Sequence, residues 1–208
     1  MLSPEHELPT HRRRAASGKS WQEDDEACRE AMPRFHPENW NGPGVVMYNN
    51  CYAYAFRDRS RDRSKKPQPG ERAGLEAMSP EAYTCRALAD RVLLDYKGVF
   101  VPATVPPPGT TEGLCPCGFS AVYLALDTEN ARPDYHFYRL DRRDRGDDVW
   151  SHKPGAEDAV RVDASGRPIT DPRIADRDYS PGYNYRTGCG FMCVPGSSVP
   201  AADPDGSS

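Results

Sequence analysis

Between residues 119 and 152 the apolar pattern changes from a helical to a strand-like period, and this change restricts the possible folds more than any other feature. "FSAVYLALD", "YHFYRLD" and "DVWSHK" are short β-type runs separated by "TENARPD" and "RRDRGD". Alternating apolar runs broken by turn residues at that spacing read as a three-stranded antiparallel meander. A further strand is expected in "AVRVD", with "SGRP" as its turn, and a last one in "CGFMCVP". The meander needs something apolar to cover it, and the candidates lie upstream. The Tyr-Ala-Tyr-Ala-Phe run that follows Cys51 is apolar on most sides and predicts a buried central helix starting near that cysteine. "SPEAYTCRALADRVLLDYKG" predicts an amphipathic helix in which Ser79 caps, Pro80 and Glu81 occupy the first turn and Gly98 stops it. Its apolar positions, Ala82, Cys85, Leu88, Ala89, Val92 and Leu93, follow helical spacing, which places Cys85 in the core.

These elements predict an α+β fold, a central helix packed on an antiparallel β meander. The 208 residues suffice for one domain with a real core, and 21 prolines with 17 glycines imply long connections between short elements. Residues 1–35 read as a polar N-terminal tail carrying one short helix in "SWQEDDEACREAM" from a Ser20 cap. Residues 36–195 read as the single domain, and 196–208 as a disordered tail of low complexity. "FVPATVPPPGTTEGLCPCG" reads as a proline-rich connector. No window reaches the apolar length needed to span a bilayer, and the first residues lack the apolar core of a secretion signal. Seven cysteines are many for a reducing cytosol, so the compartment stays open. A net charge of −4 gives no overall attraction to nucleic acid.

Chemistry, if present, must recruit from five histidines, of which His6, His11 and His36 lie in the polar N-terminal part. His136 and His152 remain. If "YHFYRL" and "VWSHK" are hairpin partners in the register that opposes Leu140 with Asp148 and Tyr138 with Trp150, the two imidazoles face each other. An imidazole beside a thiol at a helix start favours the thiolate. Cys51 is then a candidate nucleophile, His136 a base and His152 the group that orients it. The Cys51 amide and an asparagine side chain, Asn49 or Asn50, would hold a developing oxyanion. Trp150 is a core or lip residue of such a site. The competing reading makes Cys51 a buried small hydrophobe and the histidines strand residues satisfied by backbone.

A cysteine at a helix start, followed by a meander whose first histidine opens a strand and whose next strand ends in a polar partner, resembles the papain-like fold, above all its compact NlpC-type branch. The resemblance implies a cysteine peptidase, amidase or acyl transferase acting on a peptide or other amide, with Cys51, His136 and His152 as the catalytic set. Separately, "NCYAYA", "YHFYR", "WSHKPG" and "DPRIADR" resemble a group of bacterial and marine-invertebrate sequences that includes proteins called insoluble matrix shell protein. That resemblance implies a secreted, non-catalytic matrix or partner-binding role.

The remaining motifs have plainer readings. "CPC" at 115–117 and "CGFMC" at 189–193 offer four thiolates for a structural zinc, although neither has the usual two-residue gap. Three disulfides with Cys51 free would account for all seven cysteines, reduced thiols are a third reading, and zinc ranks last unless the two segments are adjacent. "DPRIADRD" lacks the ligand pattern of an EF-hand and reads as a salt-bridged loop. "RDRSRDRSKK" balances its own charge and reads as a solvated face. No glycine-rich stretch ends in the lysine and hydroxyl of a phosphate loop, so no nucleotide or other cofactor is expected.

Overall fold

The computed structural model describes residues 28, 32–59, 65–102, 114–142 and 148–196. Five strands, β1 (Val99–Pro102), β2 (Phe119–Asp127), β3 (Asp134–Asp141), β4 (Val149–His152) and β5 (Thr187–Pro195), form one antiparallel sheet in the order β1-β5-β2-β3-β4. The meander β2-β3-β4 is present as expected, and β5 closes its other side. Among the described residues the sheet is accompanied by the helices α1 (Glu38–Asn41), α2 (Cys51–Ala55) and α3 (Cys85–Tyr96).

Both faces of the sheet are covered. On one face α2 and α3 pack Tyr52, Phe56, Leu88, Val92 and Tyr96 against Val122, Leu124, Phe137 and Met192. On the other, Tyr123, Tyr138, Leu140, Trp150 and Phe191 meet Ile169 and Tyr185 from the long loops before β5. This explains why β2 is buried over nearly its whole length, since a strand covered on both faces has no polar face to show. Residues 32–35 also join this body. The Arg142 amide donates to the Pro33 carbonyl at 2.8 Å, and Phe35 packs beside Trp40 and Tyr54.

Several expectations need correction. The helix predicted from Ser79 begins at Cys85, with Thr84 as its cap accepting a hydrogen bond from the Ala87 amide at 3.1 Å. Pro80–Ala82 is a separate 3-10 turn, because Tyr83 is extended and its ring packs edge-on against Tyr135 at 5.2 Å. Lys97, at φ +52°, ends the helix in the left-handed conformation. Gly98 is needed for another reason: a Cβ there would lie 2.6 Å from the Cys193 carbonyl oxygen, where β1 joins β5. The segment read as a connector therefore starts with an edge strand. "AVRVD" forms isolated bridges, His152 to Val160 and Val162 to Pro168, in place of a strand. Of the short helix expected from Ser20 only Cys28, which is helical, and Met32 are described, and the tail at 197–208 lies outside the described residues.

The hairpin register also differs. Tyr138 faces His152 and Leu140 faces Trp150, a slip of two residues from the expected pairing. Burial accounts for it. The expected register set Leu140 against Asp148, whereas the observed one places two apolar side chains together in the core. A slip of two leaves every side chain on its original face.

Six cysteines form three bridges: Cys28–Cys117, Cys85–Cys189 and Cys115–Cys193. The alternation of β5 is interrupted where Leu124 faces Gly190 but Ala125 faces Gly188, leaving Cys189 as the extra residue of a bulge. Without the bulge Cys189 and Cys193, four apart, would share a face. With it, Cys189 reaches α3 on one face and Cys193 reaches the turn at Cys115 on the other. The zinc reading fails for this reason, and Cys85, expected as plain core, is half of a bridge. Among the described residues no helix is long and apolar enough to cross a membrane.

Candidate functional site

Cys51 opens α2. Asn50 caps that helix, its side-chain oxygen accepting from the Ala53 amide at 3.0 Å, while its side-chain nitrogen donates to the Pro67 carbonyl at 2.8 Å. Both halves of the amide are thus occupied by structure, so Asn50 serves as a cap where an oxyanion donor had been expected. Asn49 is similarly engaged. Its side-chain nitrogen donates to the Val45 carbonyl at 3.0 Å, and its own carbonyl accepts from Lys153 Nζ at 2.8 Å. Lys153 is fully buried and donates also to the carbonyls of Val46 and Gly155, at 2.7 and 2.8 Å, which fixes the loop leading into α2.

Beneath α2 a buried polar network clamps the helix to the sheet. The Arg139 guanidinium donates to Asp141 at 2.7 Å and to the Tyr54 carbonyl at 2.9 Å, and lies 4.0 Å over the Tyr54 ring. Ser151 Oγ donates to the other Asp141 oxygen and meets Tyr54 OH at 2.6 Å. In this network the Arg139 and Asp141 charges are paired with each other, as burial demands.

The Cys51 thiol is buried and donates to the Tyr135 carbonyl at 3.7 Å. Burial, reinforced by the Asp134 carboxylate, pushes its pKa up to about 12. The conditions that activate a catalytic cysteine lower this value. The five residues of α2 add only a short dipole to oppose these effects.

His136 and His152 do meet. His136 Nε2 lies 2.8 Å from His152 Nδ1, and His152 Nε2 lies 2.9 Å from the Val162 carbonyl oxygen. A carbonyl accepts only, so in the neutral rings His152 carries its proton on Nε2 and accepts at Nδ1. His136 then donates from Nε2, which leaves Nδ1 as its basic nitrogen. The pair is buried, and burial holds the His136 pKa well below its usual value and brings that of His152 down to about 4. The His136 ring stacks on Tyr185 at 4.9 Å and touches Tyr138 edge-on at 4.8 Å.

The three residues expected as a catalytic set are therefore brought to one strand but not into one hydrogen-bonded chain. Cys51 packs with Tyr135 and Phe137, whereas His136, between them in β3, projects to the opposite face. Among the described residues no hydrogen bond joins the thiol to an imidazole. Trp150 is fully buried and packs against Phe191 at 5.7 Å, which makes it core. Sequence reading missed Lys153 and Arg139. Burial of a charged side chain leaves no mark in a local pattern, so only a charge inside an otherwise apolar strand, as in "YHFYRLD", hints at it.

No family profile matches the chain, and no solved structure matches it, papain-like or otherwise. A relative does. Insoluble matrix shell protein 1 of Ruditapes philippinarum is 34% identical over 152 residues, which cover 73% of this chain and 86% of the relative. Identity at that level over most of both chains means common descent, and this chain belongs to the family of insoluble matrix shell protein 1.

Proposed function

We propose that this chain is a secreted, non-catalytic matrix module that binds structural partners through a disulfide-stapled scaffold. The carrying observation is the state of the cysteines: six are joined across long stretches of chain, and the seventh is a buried thiol with a raised pKa. Disulfides of that kind persist in oxidising compartments outside the cytosol. The relative's name refers to a matrix, and the same setting is carried over here. Cys51 acts as a small core residue whose S–H bonds the backbone of β3.

A second reading, thiol hydrolysis or acyl transfer at an amide, is favoured by one observation, the hydrogen-bond line from Val162 through His152 that leaves His136 Nδ1 basic. One experiment separates the two. The oxidised, folded protein is treated with an electrophilic thiol probe at neutral pH, and the site of labelling is read by mass spectrometry. The matrix reading expects slow labelling of Cys51 in the folded protein, at the same rate in His136→Ala, and expects Cys51→Ala to retain partner binding. Fast labelling of Cys51 that disappears in His136→Ala would overturn it in favour of the hydrolase.

A further inference from the structure

One piece of chain is fastened to two residues beside the thiol, Asn50 and Tyr135. Residues 65–75 form no helix or strand and run from the cap of α2 to the end of α3. Pro67 accepts from the side chain of Asn50, the residue before Cys51. Gln68 accepts at 2.5 Å from the hydroxyl of Tyr135, the residue whose carbonyl receives the thiol proton. This strap is therefore bonded to the residue before Cys51 and to the residue that accepts from the thiol.

What holds the strap down is polar. Asp95, at the end of α3 and buried, accepts from the Gly70 amide at 2.6 Å, the Ala73 amide at 2.8 Å and the hydroxyl of Tyr52. Arg91 adds a bond to the Pro69 carbonyl at 3.3 Å. Gly70 turns at φ +93°, a conformation that lets the chain bend over the carboxylate. Only Pro69 and Gly70 of the segment are buried, and Leu75 stays 39% exposed, so little apolar area supports its position. Segments fastened by a few polar bonds and little apolar contact open at far lower free energy than the core.

The geometry points to residues 65–75 as a lid over Cys51, latched by Asp95. Access to the thiol is then set by opening of this strap, with the sheet intact, under either reading of the cysteine. In the closed state the sulfur is sealed. When the two amides leave Asp95, Asn50 and Tyr135 lose their strap partners and Cys51 faces solvent.

The test uses the full oxidised chain and iodoacetamide. Alkylation of Cys51 is timed under native conditions in the unsubstituted protein, in Asp95→Ala and in Gln68→Ala, alongside amide hydrogen exchange. The lid predicts labelling about 10-fold faster or more in Asp95→Ala, and several-fold faster in Gln68→Ala, in which the latch is untouched. Exchange should accelerate at residues 66–75 and stay unchanged in β2 and β5. Two results would overturn the proposal: alkylation unchanged although the strap exchanges faster, or alkylation that rises only in step with exchange across the sheet. If Asp95→Ala fails to fold, Gln68→Ala decides on the same criteria. A positive result with no His136 dependence leaves the matrix reading intact, so the two ideas fail separately.

Discussion

At the scale of single residues, the histidine pair makes stability depend on pH in a defined direction. His136 and His152 are neutral inside the fold, with pKa values below the unfolded value of about 6.5. Between that value and the folded one the unfolded chain binds more protons, so stability falls as the pH drops. His152, depressed to about 4, contributes on its own a loss of about 2 kcal/mol between pH 7 and pH 5. Urea unfolding midpoints at the two pH values should therefore differ, and His152→Gln should flatten the difference. Equal midpoints in the unsubstituted protein would show that the rings ionise freely in the fold. The meeting of these two residues was legible in the sequence because a strand period of two tolerates a register error of two. The position of the thiol was not, since nothing in "NNCYAYAF" says which face of β3 the sulfur approaches.

At the scale of elements, α2 depends on a buried ion pair. Arg139 and Asp141 are both under 3% exposed, and Arg139 also holds Tyr54 by its carbonyl and its ring. Removing one charge strands the other in the core, a change that costs roughly 3–5 kcal/mol. Arg139→Met should lower stability by that order in chemical denaturation, with the fastest hydrogen exchange gained at residues 51–55. Asp141→Asn keeps a hydrogen-bond acceptor for Ser151 but strands the Arg139 charge, so its cost should be of the same order. A loss under 1 kcal/mol in Arg139→Met would mean that water reaches Asp141. The helices and the meander could be read from periodicity, yet their ends could not. Thr84 and Ser79 are both good caps, and the packing of Tyr83 on Tyr135, a contact across 52 positions, decides between them. Likewise β1 hides behind prolines, because a strand of four residues carries too few alternations to register.

At the scale of the whole molecule, the covalent frame carries much of the stability. The bridges close loops of 89, 104 and 78 residues. Loops of that size each restrict the unfolded chain by roughly 4–5 kcal/mol in the chain-entropy account. The native protein should be six hydrogen atoms lighter than the fully reduced chain by intact mass, and its thermal midpoint should fall steeply when reductant is added. An unchanged midpoint after verified reduction would assign the stability to the core alone. The sequence left the pairing open among many connectivities, and the bulge at Cys189 shows why: one extra residue in β5 sends two nearby thiols to opposite faces.

That wiring has a consequence for wear. One cut anywhere between Cys51 and Cys85, one between Cys85 and Cys115 and one between Cys117 and Cys189 would divide the chain into four pieces, the first holding Cys28 and the free Cys51, the second Cys85, the third Cys115 and Cys117, and the last Cys189 and Cys193. The three bridges then tie first to third, third to last and last to second, one link for every join. A molecule nicked by proteases at all three places would not fall apart, and only a reducing agent would release the fragments.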